Sequence, residues 1–243
     1  MRVEQQPAFV LHARPWRETS LLLEVLSRDH GRVGLVARGC RRERPHRPRT
    51  LLQPLVPLSL SWSGQGELAT LGAAEASGPA LALSGSALLC ALYVNEVVAR
   101  LLPRHDPHPA LFADYLDTLR RLARGESEAW TLRRFERDLL AHLGYGLSLE
   151  YDAESGAPLD PEREYAYRLE TGPLPWRGPQ DGLRLRGRAL LALVADREPA
   201  AEDLAALKRL LRALIAAHLD GGELRAWHLF GDSPVNPFPA RRE

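Results

Sequence analysis

Residues 19–37 read TSLLLEVLSRDHGRVGLVA, and this stretch decides the fold of the first part of the chain. Two runs rich in Leu and Val, residues 19–27 and 32–37, flank the triplet Asp29-His30-Gly31, a pattern typical of a β-hairpin. Similar runs lie on both sides, at residues 8–14, 51–62 and 67–74. Five short antiparallel strands in about seventy residues predict a small closed barrel, and the five-stranded barrel that binds oligonucleotides is the commonest design.

The hairpin leads into a strongly basic segment, residues 38–49, with the sequence RGCRRERPHRPR. It holds six arginines and one acid, Glu43, and its prolines exclude a regular helix or a central strand. Guanidinium groups match phosphate oxygens two at a time, so one interpretation is a loop that contacts a nucleic-acid backbone. The other interpretation is a solvated surface loop, which is what charge runs usually are.

Candidate nucleic-acid contacts extend from the basic segment into the neighbouring strands. Bases stack on aromatic rings, and Trp16 lies in a polar run that favours its exposure. The predicted nucleic-acid-binding residues are Arg14, Trp16, Arg17, Arg32, Arg38, Arg41, Arg42, Arg44, Arg47 and Arg49.

Composition is that of a soluble globular protein, with 45% apolar and 26% charged residues. The sequence has no apolar run of about eighteen residues and no signal-peptide core, so we expect a cytoplasmic, nucleoid-associated protein. The net charge of +1 conceals an asymmetry, because residues 1–50 carry eleven arginines against five acids. The basic charge therefore belongs to the N-terminal end.

Beyond Gly78-Pro79 the apolar period changes from two to about 3.6, which predicts helices. The expected helices are residues 84–102, 109–124, 130–143, 187–195, 201–219 and 224–230, with Ser84, Asp106 and Ser127 as N-terminal caps. The first is apolar nearly all round and is expected at the centre of a bundle. Residues 148–182 read instead as a small β-rich insertion. The predicted fold is α+β, with a barrel at 1–80, a helical domain at 81–147 and 183–243, and a loose C-terminal tail.

The helix at residues 130–143 carries an apolar stripe of Leu132, Phe135, Leu139 and Leu143, with Leu140 at its edge. Glu136 falls inside this stripe. A buried carboxylate needs a partner, and an arginine is the expected one. Arg133 lies beside the edge of the stripe, so the helix is either an ordinary core helix with an ion pair or a partner-binding surface.

No catalytic constellation is recognisable in the sequence, so we expect a binding protein rather than an enzyme. The cluster His105-Asp106-Pro107-His108 has metal-ligand residue types, but Asp106 is better explained as a helix cap. Two cysteines, Cys40 and Cys90, are too few and too far apart for a zinc site. No phosphate-binding glycine motif is present. We therefore predict no metal and no cofactor.

Several motifs resemble the RecO family of recombination mediator proteins. The segment AFVLHARPWRETSLLLEVLSRDHGRVGLVARGCRR, residues 8–42, is similar to the family's N-terminal signature. The segment LQPLVPLSLSWSGQGELATL, residues 52–71, resembles its last barrel strands. ALYVNEVVARLL and LRRFERDLLAHLGYG fit its helices, and GGELRAWHLF fits more loosely.

The resemblance implies an oligonucleotide-binding barrel, a helical domain and an inserted module. In many members that module is a zinc ribbon, but residues 148–156, SLEYDAESG, contain no cysteine, so no zinc is expected. The implied function is DNA repair: binding single and double strands, annealing strands coated by single-strand-binding protein (SSB), and helping RecR load the RecA recombinase. We expect a monomer when the protein is alone.

The implied partner surface is a groove for the acidic, phenylalanine-ended tail of SSB. Such a groove needs apolar side chains with cations at its rim, and the helix at residues 130–143 offers both. The predicted partner-binding residues are Arg133, Arg134, Phe135, Leu139 and Leu140. Two alternatives remain, a general RNA- or single-strand-binding barrel protein with annealing activity and a metallohydrolase built on His105 and His108.

Overall fold

The computed structural model describes residues 2–40, 50–64, 66–169, 171–219 and 223–229. The chain divides into two units, residues 1–126 and 127–243. The expected C-terminal tail lies outside the described residues. The predicted boundary at residue 80 separates the strands from the helices, and the first of the two units holds two helices as well as the barrel.

The predicted barrel is confirmed. Its strands are β1 (Arg2–Trp16), β2 (Ser20–Ser27), β3 (Gly31–Ala37), β4 (Pro57–Ser63) and β5 (Leu68–Ala76). They close in the order β1-β2-β3-β5-β4, with β4 pairing back onto β1. One feature differs from the expected antiparallel arrangement, since β3 and β5 pair in parallel over three residues of each strand.

The barrel interior is filled by alternate side chains, as the pleat of a strand requires. Leu21, Leu23 and Val25 of β2 point inward, and each is buried. Cys40 and Leu52 belong to the same core cluster, at 1% and 2% exposure. The chain is thus anchored in the core at Cys40, within the basic segment, and again at Leu52, just after it.

Two helices, α1 (Gly85–Leu101) and α2 (Pro109–Ala123), belong to the same unit as the barrel. Phe9 of β1 faces outward from the barrel interior and packs against Phe112 and Tyr115 of α2, with ring centroids 5.7 and 5.1 Å away. The prediction that α1 forms the centre of a helical bundle is therefore wrong. Helix α1 packs on both β1 and α2, and its apolar residues Leu88 and Leu92 are exposed.

A buried polar contact joins β1 to both helices. The register of β1 against β2 shifts between Val10 and His12, as at a β-bulge. The side-chain amide of Asn95 donates to the carbonyl of Leu11 at 3.3 Å, and the Tyr115 hydroxyl donates to Asn95 Oδ1 at 2.6 Å. The irregularity in β1 is thus matched by hydrogen bonds from the helices.

The connection between α1 and α2 lies against the β2–β3 turn. A Cβ at Gly31 would come 2.0 Å from the Asp106 carbonyl oxygen, and Gly31 has φ +63°, so only glycine fits. Asp106 was expected to cap α2, but the cap position is His108, whose ring is hydrogen-bonded to Asp106. Ser84 precedes α1 without a side-chain cap bond, whereas Ser127 accepts from the Trp130 amide as predicted.

The second unit is helical with a small sheet. Its elements are α3 (Glu128–His142), β6 (Glu164–Arg168), β7 (Gly172–Pro175), β8 (Arg184–Arg186), α4 (Gly187–Val194), α5 (Ala201–Ala217) and α6 (Arg225–Leu229). The sheet order is β7-β6-β8, so the insertion is β-rich as predicted but its last strand lies beyond residue 182. None of the helices in the described ranges has the length and apolarity needed to cross a membrane.

Candidate nucleic-acid interface

A cleft of about 780 Å³ opens at the β1–β2 turn of the barrel. Residues of the turn form one wall, and the ends of β3 and β5 form the other. The lining residues are Trp16, Arg17, Glu18, Thr19, Ser20, Val36, Arg38 and Leu68. Three of the residues predicted to bind nucleic acid, Trp16, Arg17 and Arg38, therefore share one cleft.

The shape of the turn fixes where Arg17 lies. Trp16 pairs with Ser20 across the hairpin, which leaves three residues to make the reversal. Arg17 has a φ of +51°, a left-handed conformation that costs a non-glycine residue roughly 1–2 kcal/mol. Backbone strain of this kind often marks a functional position, and here it places an exposed guanidinium next to the half-buried Trp16 ring.

The cleft carries more arginines than acids, since Arg17 and Arg38 line it together with one carboxylate, that of Glu18. Arg14, Arg17 and Arg38 are exposed, and none of them makes an ion pair within the described part of the chain. Arg14 lies two residues before Trp16 on β1 and outside the cleft lining. Exposed, unpaired guanidinium groups attract phosphate, and an aromatic ring among them offers a base a stacking surface.

Arg32 is placed differently from the other predicted contacts. It is half-buried on β3 and does not line the cleft. Its guanidinium lies 3.5 Å from Glu24, and Glu24 is also bound by Arg104. Burial lowers the pKa of Arg32, Glu24 opposes the shift, and Arg104 adds to it. Arg32 thus belongs to an ion cluster, and its charge is partly compensated.

The remaining predicted nucleic-acid contacts, Arg41, Arg42, Arg44, Arg47 and Arg49, lie outside the described residues. The residues before them are described and lead out of the cleft. Arg38 lines it, Gly39 has φ +69°, and Cys40 turns back into the barrel core. The basic segment therefore begins at the cleft wall.

The predicted partner-binding surface on α3 is not exposed. Arg133 is 2% exposed, and its Nε donates to Glu136 Oε2 at 2.7 Å. Phe135, Leu139 and Leu140 are also buried. The expectation that Arg133 borders an open groove is corrected by this burial, because the buried carboxylate of Glu136 draws the guanidinium inward. The expected arginine partner for Glu136 is thereby confirmed.

Arg134 is the one predicted partner-binding residue of α3 that is not buried. Its guanidinium is 22% exposed and lies 2.5 Å from Asp196. Arg137, one turn further along α3, lies 3.2 Å from the same carboxylate. This edge of α3 is therefore occupied by ion pairs within the second unit.

A second cleft, of about 510 Å³, lies in the second unit and was not predicted from the sequence. Its lining residues are Leu140, Gly144, Tyr145, Gly146, Leu147, Tyr167, Leu169, Leu214, Ala217 and His218. The rings of Tyr145 and His218 stack with centroids 3.7 Å apart. Burial lowers the pKa of His218, and it raises the pKa of Tyr167 to about 12. In the sequence, the tripeptide Gly144-Tyr145-Gly146 indicates the end of a helix and does not by itself predict a cleft.

The inserted module does not fit a zinc ion. Residues 148–156 offer neither thiol nor imidazole. Their turn is held by Asp152, which is buried and accepts the amide N–H groups of Glu154 and Ser155 at 2.8 and 3.2 Å. Arg163 lies 3.8 Å from the same carboxylate. Across the described ranges, no three His, Cys, Asp or Glu side chains gather into a possible metal site.

A closed five-stranded barrel with the order β1-β2-β3-β5-β4 has the architecture of the oligonucleotide-binding (OB) fold class. Two family models match the chain, "Recombination protein O N terminal" over residues 1–80 and "Recombination protein O C terminal" over residues 83–228. The chain belongs to the RecO family of DNA repair proteins.

Relatives named "DNA repair protein RecO" resemble the chain over most of their length. The relative from Nitrosococcus oceani is 49% identical, covering 93% of this chain and 92% of the relative. The relative from Methylococcus capsulatus is 47% identical, covering 96% and 95% respectively. That from Aromatoleum aromaticum is also 47% identical, covering 93% and 94%. The predicted family is thereby confirmed.

Proposed function

We propose that the protein acts on chromosomal DNA in the cytoplasm as a recombination mediator. It binds single and double strands, anneals complementary strands coated by SSB, and helps RecR load the RecA recombinase. The observation that carries the proposal is the set of exposed arginines around the Trp16 cleft, where the basic segment begins; among the described residues no acid forms an ion pair with them. Membership of the RecO family and the names of the relatives support the same function.

The proposed annealing mechanism is electrostatic. Two complementary strands repel each other through their phosphates, and arginines that contact both backbones reduce this repulsion. Backbone contacts leave the base edges free to pair. No covalent bond is made or broken, so the mechanism requires binding and release rather than catalysis.

The dependence of DNA binding on salt tests this proposal. We expect the triple variant Arg14→Ala, Arg17→Ala, Arg38→Ala to flatten the slope of log K against log salt by about 2 for single strands, since each lost phosphate contact removes about 0.7. Replacement of Arg41, Arg42, Arg44 and Arg47 by alanine should flatten it by about 3. Fluorescence anisotropy with a labelled oligonucleotide between 50 and 200 mM salt measures both slopes.

A matched control removes the same charge elsewhere. Arg100, Arg120 and Arg209 are exposed and lie outside the cleft. Their triple alanine variant should retain a slope close to that of the parent protein. If a folded cleft or segment variant keeps the parental slope, DNA does not bind there.

We also propose that the cleft beside Tyr145 receives the SSB tail, in place of the buried face of α3. Leu140, Leu147 and Leu214 offer apolar contact for the terminal phenylalanine. His218 is the one histidine among the lining residues, and a terminal carboxylate beside it would favour its charged form. Apolar burial would supply the affinity, and the imidazolium would supply the direction.

The pH dependence of tail binding tests this placement. Burial lowers the pKa of His218 in the free protein, so the imidazole is mainly neutral at pH 7.5. A bound carboxylate raises that pKa, so binding takes up a proton and strengthens as the pH falls. We expect about tenfold tighter binding of a peptide copying the SSB tail at pH 6.0 than at pH 7.5, measured by titration calorimetry at constant salt.

His218→Phe keeps a ring against Tyr145 but cannot titrate. Tail binding by this variant should be weaker at pH 6.0, with little dependence on pH, while binding to bare DNA is unchanged. Arg134→Ala tests whether the exposed edge of α3 contributes, and we expect little effect because that guanidinium is held by Asp196. If His218→Phe binds the tail with full affinity and unaltered pH dependence, the tail binds at another site.

A further inference from the structure

A third recess, of about 280 Å³, opens in the barrel wall beside β3. The β3–β5 ladder spans only Gly34, Leu35 and Val36, so the first residues of β3 have no neighbour in β5. The connection between α1 and α2 covers part of this edge, where the amide of His105 donates to the Arg32 carbonyl at 2.9 Å. The recess is the part of this edge that the connection leaves uncovered. Its walls include His30, Val33, Gly34, Trp62, Ala69 and His105.

The recess has an apolar, aromatic interior. The ring of Trp62 belongs to the barrel core, and His30 meets it edge-on with centroids 5.4 Å apart. Ala69 leaves space because its side chain is small, whereas the position of a Cβ on Gly34 is closely covered, 2.8 Å from Leu68 Cδ2 and 2.9 Å from the Glu67 carbonyl oxygen. Flat rings beside small residues suit a planar heterocycle, which binds aromatic side chains by stacking or edge contact.

Cationic groups lie at the edge of the recess. The guanidinium carbon of Arg104 lies 3.6 Å from the position that a Cβ would occupy on Gly34. Arg104 and Arg32 share the carboxylate of Glu24, so among the described residues two guanidinium groups face one carboxylate, and Arg32 Nε has no hydrogen-bond partner there. The ligand that matches an apolar recess with this border is a base joined to a phosphate.

The recess is close to the Trp16 cleft along the same strand. Gly34 borders the recess and Val36 borders the cleft, and both face the same side of β3, roughly 6.6 Å apart along the strand. We propose that the recess holds one unstacked base of single-stranded DNA, with the adjoining phosphate near Arg104. The inference rests on the proposed DNA binding and adds to it a site that distinguishes single strands from duplex.

Occupancy of the recess depends on whether a base is paired. A base can enter the recess only when it is neither paired nor stacked in a helix. Annealing removes such bases, so the contact is lost when the duplex forms, while the phosphate contacts of the cleft remain available. Loss of the contact between base and recess would therefore weaken binding of the annealed duplex and favour its release.

Photocrosslinking tests the assignment directly. Thymidine oligonucleotides carrying 5-iododeoxyuridine at one position, irradiated in complex with the full-length protein, should crosslink to His30 or Trp62, as identified by peptide mass spectrometry. DNA binding with crosslinks only in the Trp16 region would overturn the inference and leave the proposed function standing. Failure to bind any DNA would overturn the proposed function itself.

Two variants make the test quantitative. His30→Ala removes one wall while its backbone amide can still donate to Ser27 Oγ, and Ala69→Phe fills the recess. Each should weaken binding to thymidine oligonucleotides about tenfold, the factor expected for one lost base contact, and leave duplex binding and the salt slope unchanged. An oligonucleotide with abasic residues should bind the parent and both variants equally, so the preference for intact over abasic strands should be about tenfold smaller in each variant than in the parent. An undiminished preference in folded His30→Ala would overturn the inference.

Discussion

Arg133 and Glu136 form an ion pair inside the second unit, one turn apart on α3. Their side chains are 2% and 0% exposed, and the guanidinium binds both carboxylate oxygens. Two desolvated charges in such a pair depend on each other, because either alone would remain uncompensated in the core. The pair is therefore a structural feature of the helix.

Removing one partner of the Arg133–Glu136 pair should lower the free energy of unfolding much more than replacing both. We expect Arg133→Ala to lower the free energy of unfolding by about 3–5 kcal/mol, whereas Arg133→Met combined with Glu136→Leu should lie near the parent value. Urea unfolding followed by circular dichroism measures these differences. The control is Arg134→Ala, which breaks a partly exposed ion pair and should cost less than about 1 kcal/mol. Equal, small losses in Arg133→Ala and Arg134→Ala would contradict the assignment.

The contacts of individual residues could be predicted from the sequence when both partners lie within a few residues of each other. Glu136 within an apolar stripe indicated a buried charge that needs an arginine, and Arg133 supplies it three residues away. The stacking of Tyr145 on His218 joins distant parts of the chain, so no local pattern indicated it. The same limit concealed the recess beside His30, which needs Trp62 and His105 from other elements.

At the scale of elements, the buried hydrogen bonds between β1 and the helices α1 and α2 depend on the side chain of Asn95. Asn95 satisfies the Leu11 carbonyl and accepts the Tyr115 hydroxyl, and all three groups are buried. Apolar packing of Phe9 on Phe112 and Tyr115 surrounds the contact. A buried polar group without a partner costs about 1–3 kcal/mol, so the contact is sensitive to substitution.

We expect Asn95→Leu to destabilise the first unit by about 2–4 kcal/mol, because it leaves two buried polar groups without their partner. Tyr115→Phe removes one hydroxyl and keeps the amide bond to Leu11, so its cost should be near 1 kcal/mol. Guanidinium unfolding monitored by tryptophan fluorescence gives both values. Asn95→Leu with parental stability would show that water or an alternative donor replaces the amide.

Element positions were largely predictable, and the errors have physical causes. Strand β1 runs from Arg2 to Trp16, longer than the predicted residues 8–14, because Pro7 and Pro15 are accommodated within it. Gln5 adopts φ +50° near a second register shift, which a strand pattern does not indicate. Asp106 was expected to cap α2, but its backbone is held against Gly31 and its carboxylate against His108.

For the whole molecule, the boundary of the first unit has a practical consequence. The barrel strands end at Ala76, but the outer face of β1 is covered by residues up to α2. A fragment of residues 1–126 should unfold cooperatively and remain monomeric, as followed by near-ultraviolet circular dichroism and gel filtration. A fragment of residues 1–80 would expose Phe9 and should aggregate or bind a hydrophobic dye. Cooperative unfolding of the shorter fragment alone would contradict this expectation.

The fold class and the family were predictable from the sequence as a whole. Alternating strands with a hairpin turn specify a small barrel, and the motifs of residues 8–71 occur in family order. The grouping of α1 and α2 with the barrel was not predictable. A helix that is apolar on most sides indicates burial, but its composition does not say whether helices or a sheet surround it.

Closure of the barrel also constrains how the chain can be made. Ala8 of β1 pairs with Leu58 of β4, so one edge of β1 has no partner until about fifty further residues have been synthesised, several seconds at about 5–20 residues per second. During that interval, residues 8–11 form an apolar strand edge of the kind that recruits other chains. The backbone groups of this edge find their partners only once β4 has been synthesised and pairs with β1. The order in which the strands emerge from the ribosome therefore makes the closing β1–β4 pair one of the last steps in forming the barrel.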